Sequence, residues 1–389
     1  MFISISSALR KFTSISLLGA PIILVLIFMN TNITKNSFLL EDRRHKSNFF
    51  SLNTISDPQW PLEPPTLRKG CKVMFKNDAM SVCHVTPWAN FGDELGPPIT
   101  KRILELHFGC SADDLAVFDL KNIYRGGGDS GFLNRTGSAL DTCLMTVGSL
   151  WRMVLKGDHI WGTGVAYDRT ILSRCTGRPR IDKVENVTIY SSRGPNSASA
   201  IKKYCSINKD ALPSHYGKDI ESAGDAGFLL PFIFPEHSRV LKEDREMNQS
   251  RSCIVPHKQD ERNGEWGKVK NVTKKLTVDI GWENMTVALQ GCDVVVSSSL
   301  HGIILAEAYG IASRRLRLSA RPGDFKFDDF YTSLRGSEPQ LVGNIEHAFG
   351  NMSQPIAFEE RDAYAKRVLR TFPLHLFHVL DDAVEKNES

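Results

Sequence analysis

The chain has little net charge, and it lacks the short motifs that identify several common enzyme classes. Its 389 residues carry a formal charge of +4, which gives no argument for binding nucleic acid. The sequence contains no P-loop, no His-Glu-x-x-His and no Gly-x-Ser-x-Gly. It also lacks Asp-x-Asp, which disfavours the usual metal-chelating nucleotide-sugar site, and Cys-x-x-Cys, which disfavours zinc-ribbon and thioredoxin-like sites.

A glycine-rich match is present, but its context argues against a dinucleotide site. Residues 126–131 fit Gly-x-Gly-x-x-Gly. They lead into a glycosylation sequon and another glycine rather than into a long apolar helix. A surface loop is therefore favoured over a dinucleotide cradle.

A long apolar run lies near the start of the chain, over residues 12–29. Arg10 and Lys11 precede it, and no small-residue cleavage site follows it. This pattern predicts an uncleaved transmembrane signal anchor with a short cytoplasmic tail over residues 1–30. Residues 31–70 contain a charged cluster and then four prolines, which predicts an extended stem. Charge alone leaves the orientation open, because basic residues flank both sides of the run.

Sequons and cysteines indicate the compartment. The Asn-x-Ser/Thr pattern recurs more often than chance predicts and favours a luminal body. Acceptor asparagines are predicted at Asn134, Asn186, Asn248, Asn271, Asn284 and Asn351. Eight cysteines fit an oxidising compartment, where disulfides and buried free thiols are both possible, and their pairing cannot be deduced from the sequence.

Strand and helix patterns alternate from about residue 71 to residue 345, which predicts an α/β fold with two parallel sheets. Strands are expected at residues 82–85, 144–147, 159–161, 187–190, 229–234, 253–255 and 276–280, and helices at 94–108, 196–204 and 282–289. A break near residues 177–184 divides an N-terminal domain, 71–183, from a C-terminal domain, 184–345. Residues 346–389 are expected to pack as closing helices.

The most informative stretch spans residues 294–310. A β-branched run from Val294 to Val296 predicts a buried strand, and the apolar spacing that follows predicts a helix. Ser297 to Ser299 offer a helix N-cap, and the amides of the first helical turn favour an anion. His301 lies in that turn. Taken alone, a serine-capped helix with an idle, exposed histidine is equally consistent with the pattern.

Two further loops follow strands of the first half. In residues 90–96, Asp93 can cap the next helix or serve as a base. In residues 161–165, two glycines allow the backbone to approach a ligand closely, although a plain turn explains them nearly as well.

Two cationic stretches lie in the second half. Arg193 follows a strand and stands beside the start of a helix, a pairing that suits phosphate or carboxylate; the alternative is an interdomain salt bridge. Residues 325–331 mix aromatic side chains with Lys326 and can either line a cleft or fill a core.

These stretches, in this order, resemble the polysaccharide pyruvyl transferase family. The resemblance rests on residues 90–96, 148–149 with 161–164, 193–197, 297–310 and 326–334. It implies two Rossmann-like domains that face a cleft, as in the GT-B arrangement. It also implies transfer of the pyruvyl group of phosphoenolpyruvate onto two hydroxyls of a glycan sugar, giving a ketal and phosphate. With the anchor and sequons, it suggests a single-pass type II protein of the Golgi or another secretory-pathway membrane.

The resemblance and the residue chemistry together suggest a role for each candidate. His301 is predicted as general acid or donor ligand, and Asp93 as the weaker candidate for binding or deprotonating the acceptor. The predicted donor-binding residues are Arg193, Ser299, Leu300, Gly302 and Lys326. The predicted acceptor-binding residues are Asn90, Asp93, Gly162 and Thr163. Because cations and amides suffice for phosphoenolpyruvate, no metal or cofactor is expected.

One position departs from the pattern. Some family members have an arginine immediately before Leu-His-Gly, where this chain has Ser299. Lys326 or the arginines Arg314, Arg315 and Arg317 could compensate, or at least two of these four could belong to a solvated basic strand. Two alternatives to pyruvyl transfer stay open: a glycosyltransferase of the same architecture that uses a nucleotide sugar, and a noncatalytic glycan-binding relative.

Overall fold

A computed structural model describes eleven stretches of the chain: residues 65–85, 90–120, 142–155, 157–166, 187–204, 219–239, 250–318, 323–337, 341–342, 345–350 and 352–381. The predicted anchor, the stem up to residue 64, the glycine-rich match at 126–131 and four sequons, Asn134, Asn186, Asn248 and Asn351, lie outside these stretches. Within them, none of the helices has the length and hydropathy that crossing a membrane requires.

The first sheet is parallel and collects strands from the N-terminal half of the chain. Its strands run in the order β3-β2-β4-β5-β6. Their bounds are β2 Met80–His84, β3 Val117–Asp119, β4 Thr142–Met145, β5 His159–Trp161 and β6 Thr188–Ser191. The predicted strands at 82–85, 144–147 and 159–161 are confirmed to within two residues. Strand β6 was assigned to the second half, but it pairs with β5, so the first sheet extends past the predicted break.

The second sheet is also parallel, in the order β10-β9-β7-β8. Its strands are β7 Ser252–Val255, β8 Lys274–Lys275, β9 Val294–Ser297 and β10 Ala312–Arg315. Together the sheets confirm a mixed α/β fold. The predicted strand at 276–280 is wrong, because only Lys274 and Lys275 pair with β7 and the chain turns afterwards.

Helices follow most strands. They are α1 Phe91–Glu94, α2 Gly96–Phe108, α3 Pro195–Tyr204, α4 Leu230–Ile233, α5 Glu236–Arg239, α6 Trp282–Gln290, α7 Leu300–Ala308, α8 Phe325–Arg335 and α9 Phe358–Arg370. The predicted helices at 94–108, 196–204 and 282–289 are confirmed. The predicted strand at 229–234 is wrong, since it forms a 3-10 turn and then α4. A short apolar run does not distinguish a buried strand from a buried helix by periodicity.

The segment around α4 joins the two sheets. All described residues belong to one compact unit, and one hydrophobic core runs through both sheets and their helices. A methyl group on Gly227 would lie 3.4 Å from Leu95, which precedes α2, and 3.8 Å from Ile304 in α7. Residues 226–233 are therefore wedged between helices that follow different sheets, which explains their near-complete burial on all sides.

The end of the described chain returns to its beginning. Strand β1, Cys71–Phe75, pairs antiparallel with β11, Phe377–Asp381, and the rings of Phe75 and Phe377 lie 4.6 Å apart. The expected closing helices are therefore a helix, α9, followed by a strand. The prediction missed this strand because its partner lies some 300 residues earlier, and sequence alone does not show which strands pair at that separation.

Disulfide bonds link elements within each half. The described pairs are Cys71–Cys110, Cys83–Cys143 and Cys253–Cys292. Cys83 and Cys143 join the neighbouring strands β2 and β4. Among the described cysteines none is a free thiol, so the buried free thiols considered from the sequence do not occur there.

Candidate active site

The stretch 294–310 folds as predicted, as strand β9 followed by helix α7. Val295 and Val296 are fully buried, and Ser297 at the strand end pairs with Val255 of β7 and Arg315 of β10. The chain then turns into α7 over two residues. This turn stands at the carboxyl edge of a parallel sheet, where α/β proteins bind ligands.

The serines of this turn hold the backbone and do not cap the helix as predicted. Ser299 occupies the N-cap position but makes no side-chain cap bond. Instead, the Ser297 hydroxyl lies 2.8 Å from the carbonyl oxygens of Val255 and Ser299, and it accepts a 2.9 Å hydrogen bond from the Ser299 amide. The side chain of Ser299 is 2% exposed, which leaves little of it for a ligand.

Two predicted donor residues of this turn serve packing. Leu300 lies in the hydrophobic core. A Cβ atom on Gly302 would approach Ser297 Oγ to 2.6 Å and Val255 Cγ1 to 2.9 Å, so glycine is needed for α7 to lie against β7. Any contact of these residues with a donor is left to their backbone.

His301 is buried and lacks a partner. Its side chain is 6% exposed, and Nε2 has no hydrogen-bond partner among the described residues. Burial, together with the positive charges of Lys326 and Arg193, lowers the pKa of His301 to about 3. In this state the imidazole is therefore neutral.

The loop 90–96 lies directly against His301. The Phe91 ring packs edge to face against the imidazole, with 6.2 Å between the ring centroids. A Cβ atom on Gly92 would lie 1.9 Å from His301 Nδ1. Gly92 is thus required for this contact. The structure thus brings together two motifs that lie about 200 positions apart in the chain, one from the carboxyl edge of each sheet.

Asn90, and not Asp93, caps the short helix α1 that lies within residues 90–96. The Asn90 side-chain oxygen accepts from the Gly92 amide at 3.4 Å, and its Nδ2 donates to Asp93 Oδ2 at 2.9 Å. This arrangement orients the Asp93 carboxylate. Its negative charge raises the pKa of Lys326, so the two side chains lie within electrostatic reach.

Lys326 brings a cation to the same place from α8. It is partly buried, and no hydrogen bond or ion pair of its ammonium occurs within the described ranges. Burial and the nearby Arg193 and Arg315 lower its pKa to about 7, with Asp93 opposing the shift. Asp260 also opposes the shift, but within the described residues no carboxylate forms an ion pair with this ammonium, which suits it to an anionic ligand.

Arg193 is placed differently from its prediction. The guanidinium is fully buried and donates from Nε to Asp329 Oδ2 at 3.1 Å, from NH1 to Ser149 and from NH2 to the Val165 carbonyl. Asp329 also accepts from the amide and the hydroxyl of Ser197, in the first turn of α3. The corner predicted to hold a phosphate already holds the Asp329 carboxylate, which is the salt-bridge alternative.

Gly162 and Thr163 support the first sheet. The Thr163 hydroxyl is fully buried, donates to the Gly148 carbonyl at 2.8 Å and accepts from the Leu150 amide at 3.2 Å. Gly162 has a φ of 76°, and a Cβ atom there would lie 3.3 Å from backbone atoms of the 224–226 segment. The Thr163 hydroxyl is therefore bonded within the protein and Gly162 packs against its backbone, as the alternative of a plain turn predicts.

The three arginines after α7 also have partners. Arg314 and Arg315 are buried, so they do not form the solvated strand considered above. Arg314 donates to two backbone carbonyls, whereas Arg315 and Arg317 both pair with Asp324. Of the four cations considered, Lys326 is the one whose side chain forms no hydrogen bond or ion pair within the described residues.

His257 also lies within electrostatic reach of Lys326, and none of the sequence motifs includes it. It follows β7 by two residues, and its charge would repel that of Lys326, which together with burial lowers the pKa of His257 to about 3. The sequence did contain one indication of His257: a predicted buried strand is followed by Pro256 and then by this histidine. In the sheet this strand, β7, is the neighbour of β9, which leads to His301.

The remaining predictions concern glycans and metals. Asn271 and Asn284, the predicted acceptors that fall within the described ranges, are both exposed. In those ranges no group of three or more His, Cys, Asp or Glu side chains is arranged to hold a metal ion.

Comparison with known proteins adds no assignment. No protein-family model matches the chain, and no curated protein or solved structure is significantly similar to it.

Proposed function

We propose that the protein is a pyruvyl transferase that moves the pyruvyl group of phosphoenolpyruvate onto two hydroxyls of a glycan sugar. The observation that carries this proposal is that the imidazole of His301, whose buried Nε2 has no hydrogen-bond partner among the described residues, lies within electrostatic reach of the Lys326 ammonium. The proposal includes a GT-B-like arrangement of two Rossmann-like halves and a luminal body held at a Golgi or other secretory membrane by the N-terminal anchor. The meeting of Gly92 and His301, each from the carboxyl edge of one sheet, is consistent with such a cleft.

The charges of the site suit phosphoenolpyruvate. This donor carries its phosphate and its carboxylate on the same central carbon, so it needs several cationic or N–H groups within a small volume. Lys326 supplies a charge, the first amides of α7 supply N–H donors, and Arg193 adds positive potential from behind its ion pair. The anion in turn raises the pKa of His301, so that the imidazole can carry the proton that the reaction needs.

The reaction forms two carbon–oxygen bonds to the donor and breaks one. One hydroxyl oxygen of the acceptor bonds to the central carbon of the donor, while the methylene carbon takes a proton and becomes a methyl group. The bond from the central carbon to the phosphate oxygen then breaks, and its electron pair leaves with phosphate. The second hydroxyl oxygen bonds to the same carbon and closes the ketal. Of the two hydroxyl protons released, one balances the proton on the methyl group and the other leaves with phosphate or solvent.

His301 and Asp93 are placed for these proton transfers. In this proposal His301 delivers the proton to the methylene carbon, and Asp93, held by Asn90, accepts a proton from the attacking hydroxyl. Lys326 neutralises charge on the departing phosphate.

The proposal is tested with the whole chain, phosphoenolpyruvate and a panel of glycans. Expected results are release of inorganic phosphate and a mass gain of one pyruvyl ketal on an acceptor. His301→Ala is expected to abolish both, whereas His347→Ala, which changes an exposed histidine, leaves both unchanged. A melting temperature raised by nucleotide sugars and not by phosphoenolpyruvate would instead indicate a glycosyltransferase. Glycan binding without turnover in any donor would indicate a noncatalytic relative.

A further inference from the structure

His257 stands beside the proposed donor site because of the sheet register. Strands β7 and β9 are parallel neighbours, with Val255 opposite Ser297 at their carboxyl ends. His257 comes two residues after Val255, and its amide donates to Ser298 Oγ at 2.8 Å. The turn that carries His257 is thereby fastened to the turn that carries His301.

The hydrogen bonds of His257 fix its tautomer. The Nδ1 atom accepts from the Gln259 amide at 3.3 Å and caps the 3-10 helix Lys258–Asp260. A nitrogen that accepts a hydrogen bond carries no proton, so the proton of the neutral ring is on Nε2. His257 therefore offers one N–H donor in a fixed orientation.

The surroundings keep this ring neutral. A charge on His257 would be opposed by Lys326, and it would in turn disfavour a charge on His301. All three side chains therefore lie within electrostatic reach of one another. The Lys326 ammonium, which forms no ion pair with a carboxylate in the described chain, and the two imidazoles together form a site that an anion would complete.

We infer that His257 is a further donor-binding residue, whose neutral imidazole donates its Nε2–H to the phosphate or carboxylate of the anionic substrate. The inference rests on the proposed function for the identity of the substrate. It assigns His257 to binding and not to proton transfer.

Two substitutions separate donation from capping. His257→Asn keeps an acceptor near the position of Nδ1, so it preserves the cap but withdraws the donor. His257→Gln places an amide N–H near the position of Nε2 but loses the cap. We expect His257→Asn and His257→Ala to raise the Kd and KM for phosphoenolpyruvate about tenfold, with kcat within about twofold, and His257→Gln to restore most of the affinity.

Calorimetric titration of the whole chain with phosphoenolpyruvate and, separately, with inorganic phosphate reads out both points. Gln259→Ala, an exposed neighbour whose side chain takes no part in the cap, serves as the matched control and is expected to bind like the wild type. Wild-type affinity in His257→Asn, or loss of affinity in His257→Gln alone, would show that the residue acts only as a cap and overturn the inference.

The phosphate titration keeps the two proposals apart. Binding of phosphate without preference for phosphoenolpyruvate would contradict pyruvyl transfer, while the ranking of the Asn and Gln variants toward phosphate would still decide the role of His257. Absence of binding by either anion would overturn both.

Discussion

Arg193 and Lys326 are two cations of one candidate site, and the structure treats them in opposite ways. Arg193 is fully buried and has its ion pair with Asp329 and two further hydrogen bonds within the protein. Lys326 has no ion pair within the described residues, and its pKa is lowered to about 7. A buried charge that the protein satisfies holds the fold together. A buried charge that the protein leaves unsatisfied costs stability and is kept where a ligand completes it.

The largest effect is expected from breaking the satisfied side of this comparison. Arg193→Ala leaves the Asp329 carboxylate buried without its cation, so we expect a loss of about 3–5 kcal/mol of stability, seen as a lower melting temperature. Arg317→Ala is the matched control: its pair with Asp324 is half exposed, and we expect a change of at most about 1 kcal/mol. An unchanged melting temperature in Arg193→Ala would contradict a structural role for Arg193 and would favour the original prediction that it binds the donor.

A smaller effect of opposite sign is expected on the unsatisfied side. Lys326→Met removes a charge that burial and two arginines disfavour, so we expect a gain of about 1–2 kcal/mol near pH 6, together with loss of anion binding. Lys268→Met, which changes an exposed lysine paired with Glu265, is expected to stay within about 0.5 kcal/mol of wild type.

The pH dependence of this gain has a definite sign. The folded pKa of Lys326, about 7, lies below the unfolded value of 10.5, so the unfolded chain holds the proton more tightly. The lysine therefore destabilises the fold fully below pH 7, and this penalty fades as the pH rises from 7 toward 10.5. Melting curves of the wild type and Lys326→Met should converge over that interval. Parallel curves from pH 6 to pH 10 would contradict a partly buried ammonium that has no ion pair among the described residues.

The sequence predicted the local parts of the site better than their partners. The order of β9, serine turn and α7 follows from hydrophobic periodicity and hydroxyl residues within seventeen positions, and the structure confirms it. The carboxyl edge of each sheet was predicted to carry a motif, and the contact of Gly92 with His301 brings two of these motifs together. The order of the elements within each motif depends on neighbours along the chain, whereas the contact of Gly92 with His301 is long-range and is seen only in the structure.

The partner of each buried charge is a residue far away in the chain, and the sequence does not show which residue that is. Asp329 lies 136 positions after Arg193, and although a salt bridge was one alternative for Arg193, the sequence did not identify the carboxylate that would form it. Similarly, the strand at 377–381 is recognisable only through its pairing with residues 71–75. His257 was overlooked because its role emerges from the register of two strands that are about 40 positions apart in the chain.

The smallest expected effect is an uptake of protons when the site is filled. At pH 8 most Lys326 side chains in the empty protein are neutral, because their pKa is about 7. A bound phosphoenolpyruvate anion raises that pKa, so binding should draw nearly one proton from the buffer, and titration calorimetry in buffers of different ionisation enthalpy measures this number. At pH 6 most Lys326 side chains are already charged, so the uptake that remains comes from His301 or His257, whose pKa values start at about 3, or from the phosphate of the ligand. Lys326→Met should abolish the uptake at pH 8 in whatever binding survives. Binding at pH 8 without proton uptake would mean that the ligand does not contact the Lys326 ammonium. Lys326 would then have no demonstrated role in ligand binding, and its contrast with Arg193 would concern stability alone.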